Sequence, residues 1–574
     1  MASNSESSRP LLQISEHVPS NFQNCTINIA ENNRNARRTG AFFNFFYYRS
    51  KEMKLARLEI AGRRDSDFLR FMGKFAFAQG TPLTSNTMKK TVFIASILLI
   101  SVQFTLAGEN NKPNVLFLIS DDLTTTATSS YEGNLNQTPH IDQLAADGTR
   151  FSRAYSQFPV CGPSRASIMF GYYPNATTAY GYVSGREEVG PDRFSLPQLF
   201  RENGYFTARV GKIFHMGSID VMKGRHGTDD EASWVERYNS PAPEVHAEGE
   251  KELVQRNPYG LLPTDQDPET NGRNLMNIVK TDEGQEQTDA KTADKAIELI
   301  RERKDEPFFL AVGFFRPHVP FVAPKSYFEP YPYEQMTLPP KVQGAWDNIP
   351  ERGINYVTTV NSQMTEEQEK KAIAAYYATV SFMDAQVGRV LQALREEGLE
   401  ENTIVVFTSD HGFHLGEHGF WMKFGMREES VRVPLIIKAP GKEPAVSHSF
   451  AELLDLYPTL AELAGLKYSK HLQGKSLAPV LDDPAHAVRD AAFSMHKRQG
   501  NYSYLLRTDN WAYIQYDEDG ASGAELYDMR NDPKQFNNLA GNPLFKPVIA
   551  SFREQLADKL RDIRDNDLGI SYGE

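Results

Sequence analysis

From Lys112 onward the chain alternates between two hydrophobic patterns. The runs PNVLFLISDD, from Pro113, and NTIVVFTSDHG, from Asn402, are continuously apolar, of strand length, and end in acidic residues. Strands covered on both faces of a parallel sheet read this way. Between such runs lie segments with apolar residues at helical spacing. They are TPHIDQLAADG with Gly148 at its end, SLPQLFRENG, TDAKTADKAIELIRERKDE feeding the strand PFFLAVGFF, and a longer helix over Glu366 to Glu396. Thr365 and Gln368 open that last helix as a capping box. VPLIIKAPG adds a strand and FAELLDLYPTLAELAGL a helix. Repeated strand and helix over 112 to about 480 predicts an α/β fold, a large and mostly parallel sheet sandwiched by helices.

Residues 217 to 285 are polar and broken by glycine and proline, as expected of excursions over a site's mouth. After residue 489, YSYLLRTDNWAYIQY alternates with the period of strands, and an amphipathic helix is expected from about Pro547 to Arg564. A hairpin and one helix are marginal alone. The pattern therefore divides the mature chain into a main domain, 108–488, and a small α+β subdomain, 489–574, packed on it.

Upstream, residues 88–107 (MKKTVFIASILLISVQFTLA) have the basic start, apolar run and small-residue ending of a cleaved signal peptide. The apolar run is shorter than the roughly 20 residues that span a bilayer, so export to periplasm or medium is expected, without a stable membrane anchor. Residues 1–87 precede that leader without sustained periodicity. They are expected to be a disordered, non-native extension, with the biological start at Met88.

Charge narrows the function. Lys and Arg number 62 against 74 Asp and Glu, a net −12, so no global basic footprint for nucleic acid exists and an anionic ligand needs a local cluster of cations. Of two cysteines, Cys25 lies before the leader, leaving Cys161 in an exported chain without a disulfide partner. An odd exported cysteine points to chemistry.

Two clusters could carry that chemistry. Asp121 and Asp122 end one predicted strand, and Asp410 with His411 ends another. Neighbouring strand ends would bring these carboxylates and the imidazole around a hard divalent cation, Ca²⁺ or alternatively Mg²⁺. Zinc would want more His or Cys. The second cluster is Cys161-Gly162-Pro163-Ser164-Arg165. By chemistry alone Cys161 is either a thiolate nucleophile beside a guanidinium or a buried structural thiol.

CGPSR, continued by ASIMFGYYP, resembles the signature of the sulfatase family, in which an accessory enzyme oxidises the cysteine to formylglycine. PNVLFLISDDL, GKIFH, FFLAVGFFRPHVPFVAPKSYF, FTSDHGFHLGEHGFWMKFGMREESVRVPLII and ELYDMRNDPKQFNNLA are similar to further blocks of that family, spanning about Asn111 to Ala540. RPHVPF and SDHGFHLGEHG, with His411 where many members carry Asn, are most similar to the iduronate-2-sulfatase type. The resemblance implies an alkaline-phosphatase-like fold and metal ligation by Asp121, Asp122, Asp410, His411 and the modified Cys161. It implies that one hydroxyl of the hydrated aldehyde attacks sulfur and the other later expels sulfate. Arg165, Lys212 and Lys423 would hold the negative charge, and His215 would assist the nucleophile. His318 would bind sulfate or protonate the leaving alcohol, a task for which Lys423 is equally placed. The implied partners are a sulfated carbohydrate substrate and a formylglycine-generating or other sulfatase-maturing enzyme. His414 and His418 receive no ligand role, His140 falls in a structural stretch, and Phe420 and Trp421 either line a sugar pocket or pack. Two other readings stay open: a phosphonate monoester hydrolase or phosphodiesterase on the same scaffold, and a sulfated-glycan binding protein without turnover.

Overall fold

The computed structural model describes two antiparallel strands, Ala41–Arg49 and Glu52–Ile60, and residues 112–572 apart from 134, 255–275, 285 and 571. The leader at 88–107 lies outside the described residues, as does 1–87 apart from the two paired strands just named. No helix among the described residues is long and apolar enough to cross a membrane.

The chain from residue 112 is built on eight strands: β1 (Asn114–Asp121), β2 (Thr149–Tyr155), β3 (Phe206–Gly211), β4 (Glu236–Tyr238), β5 (Phe308–Pro317), β6 (Thr403–Ser409), β7 (Arg432–Lys438) and β8 (Ala445–Glu452). They lie in the order β8-β2-β7-β6-β1-β5-β3-β4, and β7 alone runs against the rest. Period-two alternation sends Val115, Phe117 and Ile119 into one core and Leu116 and Leu118 into the other. That double burial is why the run reads as continuously apolar.

Helices cover both faces. On one side α1 (Pro139–Asp147), α4 (Thr288–Glu302) and α5 (Glu366–Glu396) contribute Ile141, Ala293 and Tyr376. Thr365 caps α5 through the Gln368 amide, as its capping-box pattern requires. On the other side lie α2 (Cys161–Phe170), α3 (Leu196–Glu202) and α6 (Leu456–Leu463).

The C-terminal strands β9 (Ala491–Arg498), β10 (Asn501–Thr508), β11 (Trp511–Tyr516) and β12 (Ala524–Asp528) form an antiparallel meander. With α7 (Lys546–Arg564) they share the second core through Phe493, Leu506, Phe552 and Leu556. The 217–285 stretch differs from its reading as mouth excursions. It supplies the edge strand β4 and buries Trp234, and Ile278–Thr281 pairs with Phe321–Pro324. β4 is short and half-exposed, so its polar pattern hides it, and the buried Ile278–Thr281 strand is too short to show a period.

Two glycines let β3 and β5 close on each other just before Lys212. Gly211 has φ +74, and a Cβ on Gly313 would lie 2.0 Å from the Lys212 carbonyl oxygen. Gly313→Ala is expected to cost about 1–3 kcal/mol in denaturant unfolding, the range of an overpacked core; wild-type stability would contradict this close approach.

Candidate active site

The central strands β6, β1, β5 and β3 are adjacent and parallel, and each is followed at its carboxyl end by residues of one cluster: Asp410, Asp122, His318 and Lys212. Open α/β sheets offer their ligand sites at this end. Ser120 lies in register with Ser409, which brings the two acidic strand ends side by side.

Cys161 opens α2. The first helical bond runs from the Ser164 amide to the Val160 carbonyl at 3.2 Å, so Cys161, Gly162 and Pro163 occupy the first turn. Amides there have no intrahelical partner, so proline costs nothing. A Cβ on Gly162 would sit 2.4 Å from the Gly181 carbonyl oxygen. The next two residues bolt the helix to the strand ends. Ser164 Oγ donates to the Asp410 carbonyl at 2.5 Å. Arg165 reaches Asp410 Oδ2 at 2.8 Å, Asp121 Oδ1 at 3.4 Å and the Ile213 carbonyl at 3.0 Å.

Asp121 is fully buried and pairs with both Arg165 and Lys212. Burial alone would raise its carboxyl; Lys212 above all, then His318 and Arg165, holds it well below the ordinary value. Asp122 adopts φ +68 and is locked there by its amide bond to Asp410 Oδ1 at 3.2 Å and by Tyr376 donating to its carbonyl at 2.6 Å. Its Oδ1 meets Lys423 Nζ at 2.8 Å and His411 Nε2 at 3.3 Å, while its Oδ2 has no hydrogen-bond partner. Burial lifts Asp122 to about 7 against the pull of Lys423. A buried carboxylate in that condition fits a cation.

His411 donates from Nδ1 to the Gly412 carbonyl at 2.9 Å, turning Nε2 to the Cys161 sulfur at 3.3 Å. Burial opposes its charge, but Asp410 and the sulfur raise it to about 9. Lys423 stands between Met422 at φ +64 and Phe424 at φ +84, its Nζ 3.1 Å from the sulfur. Against burial and Asp121, the nearby Lys423 and Lys212 bring the Cys161 thiol below its usual value.

Asp121, Asp122, Cys161 and His411 each present a ligand atom within 4.8 Å of all the others. Asp410 borders this group: its oxygens serve Arg165 and the amides of Asp122 and His411, and Oδ2 lies 3.7 Å from His411 Nε2. The donors fit a divalent cation, which would hold Asp122 ionised and take the place of the proton on His411 Nε2. His318 donates from Nδ1 to the Val319 carbonyl at 2.6 Å and aims Nε2 at Asp122 Oδ2, 4.0 Å away. His215 stacks under Tyr182 with ring centroids 4.1 Å apart, and burial, then Lys212, brings it to about 3, a neutral imidazole.

The remaining candidates fall outside. His414 and His418 are buried away from the four-ligand group, and His140 packs against Gly388 on α5. Phe420 and Trp421 are fully buried, which decides for packing. Three neighbours lacked a readable signal: Tyr182, Tyr376 and the tip of the β9–β10 hairpin. That tip, with His496, Lys497 and Arg498, walls a cavity of about 290 Å³ with Val160, Tyr182 and Phe424. Lys497 Nζ lies over the Tyr180 and Tyr502 rings at 4.5 and 4.9 Å.

The family model described as Sulfatase matches residues 113–466, and that described as N-sulphoglucosamine sulphohydrolase, C-terminal, matches 416–562. A sulfatase of Formosa agariphila is 33% identical over 463 residues, covering 78% of this chain and 87% of that one. Iduronate 2-sulfatase of Mus musculus is 35% identical over 530 residues, covering 77% and 93%. Among solved structures, the phosphonate monoester hydrolase of Silicibacter pomeroyi superposes with a TM-score of 0.64 at 22% identity, covering 80% and 96%, a likeness of fold.

If the four-ligand group holds a cation, Asp122→Asn should weaken Ca²⁺ binding by at least about tenfold in calorimetric titration, the size of a lost charged ligand. Unchanged affinity would place the cation elsewhere.

Proposed function

The chain belongs to the sulfatase family and is a sulfuric ester hydrolase, and from that premise we propose that it removes sulfate from a sulfated sugar at Cys161, matured to formylglycine, with a bound divalent cation, Ca²⁺ by its carboxylate donors. The observation that carries this reading is the fully buried Cys161 sulfur at a helix N-terminus, within 3.3 Å of His411 and 3.1 Å of Lys423 and inside the four-ligand group. When bound, the cation and the aldehyde hydrate supply an acidified hydroxyl as nucleophile at sulfur.

The chain's own side chains do the rest. Arg165, Lys212 and Lys423 set fixed positive charge against Asp121, Asp122 and Asp410. A dication tips that balance positive, which suits an anionic sulfate ester and its more charged transition state. Neutral His215 can accept a proton from the nucleophile. His318 spends its Nδ1 proton on the Val319 carbonyl, and burial holds the imidazole well below its ordinary value. It would therefore bind sulfate or protonate the departing alcohol through Nε2 only after taking up a proton there, as it could from the nucleophile or the bound substrate.

The adjoining cavity supports a sugar. Tyr182 and Phe424 offer ring faces, and Lys497, paired with no carboxylate among the described residues, offers a cation over aromatic rings. The resemblance of RPHVPF and SDHGFHLGEHG to the iduronate type favours an acidic sulfated sugar. The basic start and apolar run of 88–107 are the ground for placing the protein outside the cytoplasm.

The test is a panel of defined sulfated mono- and oligosaccharides, with aryl sulfates and aryl phosphonates, given to protein co-produced with a maturing enzyme. Sulfate release from sugars, lost in Cys161→Ala with the fold intact, is expected; a preference for phosphonates by kcat/KM would overturn the assignment. Lys497→Ala should raise KM for an anionic sugar sulfate by about tenfold, as for one lost charged contact, while leaving KM for 4-nitrophenyl sulfate within about twofold. Equal effects on both would remove Lys497 from the sugar pocket.

A further inference from the structure

His318 stands between β5 and the short strand Phe321–Pro324, in a segment that makes no sheet bonds of its own. What holds it lies beneath. Arg316 is buried, and its Nη1 donates to the carbonyls of His318 and Pro320, each at 3.0 Å. Its Nη2 pairs with Glu244, a fully buried carboxylate from the 217–285 stretch, whose second oxygen accepts the Thr288 hydroxyl. Glu244 takes φ +46, a conformation an ordinary side chain keeps only where its surroundings over-determine it. From the first turn of α4, Asp289 accepts the amides of Phe315 at 2.7 Å and Arg316 at 3.0 Å. The run from Phe315 to Pro320 is thus fixed from below at its amides and carbonyls, while the His318 ring bonds the Val319 carbonyl within the same run.

We propose that Glu244 and Arg316 form a positioning clamp for His318, setting where its Nε2 sits over the sulfate site. Only a planar guanidinium can serve two carbonyls and a carboxylate at once in this geometry. With Glu244 neutralised, Arg316 loses the carboxylate it is paired with and keeps only the electrostatic pull of the nearby Asp289, which draws it off the carbonyls it holds. The 217–285 stretch therefore reaches under the active site through one carboxylate, and Glu244 and Arg316 act through His318 without touching substrate. The proposal rests on His318 acting on the sulfate ester.

The test is a double-mutant cycle on matured, Ca²⁺-loaded protein with Glu244→Gln, Arg316→Lys, His318→Ala and the pairwise doubles, using a sugar sulfate and 4-nitrophenyl sulfate. Glu244→Gln and Arg316→Lys should each lower kcat by at least about tenfold, the scale of a sub-ångström misplacement, with KM within about threefold. In the His318→Ala background, Glu244→Gln should add less than about twofold. Multiplied losses in the double mutant, or a folded Glu244→Gln with wild-type kcat, would overturn the clamp. Should Glu244→Gln fail to fold, Thr288→Val replaces it; it removes one hydrogen bond to Glu244 and should show the same non-additivity at smaller size. A crystal structure of the variant gives a readout independent of turnover. A displaced His318 ring supports the clamp and an unmoved one overturns it. An inactive clamp variant beside a fully active His318→Ala would instead overturn the role given to His318.

Discussion

Carboxylates buried together must be compensated, and the architecture around Cys161 follows from that constraint. Asp121, Asp122 and Asp410 emerge from neighbouring parallel strand ends and are cut off from water. Leaving one member of such a buried pair unmatched costs about 3–5 kcal/mol. Arg165 answers Asp410 and Asp121, Lys212 answers Asp121, and Lys423 answers Asp122. Asp122 still keeps one oxygen without a partner, and the four-ligand group closes around that deficit.

The compensating groups come from distant parts of the chain, so the site forms only when the whole sheet does. Arg165 arrives on α2, Lys212 after β3, Lys423 from the loop beyond β6, and His318 after β5. The short residues of the cysteine motif have matching tasks: Gly162 admits the Gly181 carbonyl, Pro163 fits a helix's first turn, and Ser164 ties that helix to Asp410. The motif that resembles the sulfatase signature is also a set of fasteners.

Much of this was legible from residue pattern. Doubly buried strands announce themselves as apolar runs, and carboxylates at the end of such a run mark a candidate ligand site; β1, with Asp121 and Asp122, and β6, with Asp410, read this way. The capping box placed the start of α5 at Glu366. The reversed direction of β7 had no local signal, because an apolar run reads the same either way. Edge strand β4 was hidden by half-exposure. Tyr376 looked like any buried aromatic on a helix, and its hydroxyl bond to the Asp122 carbonyl depends on a contact 254 residues apart. Glu244 was masked likewise, a single acid in a polar stretch whose partner lies across the fold. Trp421 was ambiguous between pocket and core because size and apolarity suit both; its burial decides for core.

The account turns on what Cys161 becomes. The direct measurement is the mass of the peptide containing residue 161, taken from protein isolated with its sulfate-releasing activity and compared with the amount of active enzyme. The account predicts an aldehyde at that position in a fraction that tracks activity. A full complement of free thiol in protein that still hydrolyses sulfate esters would contradict it.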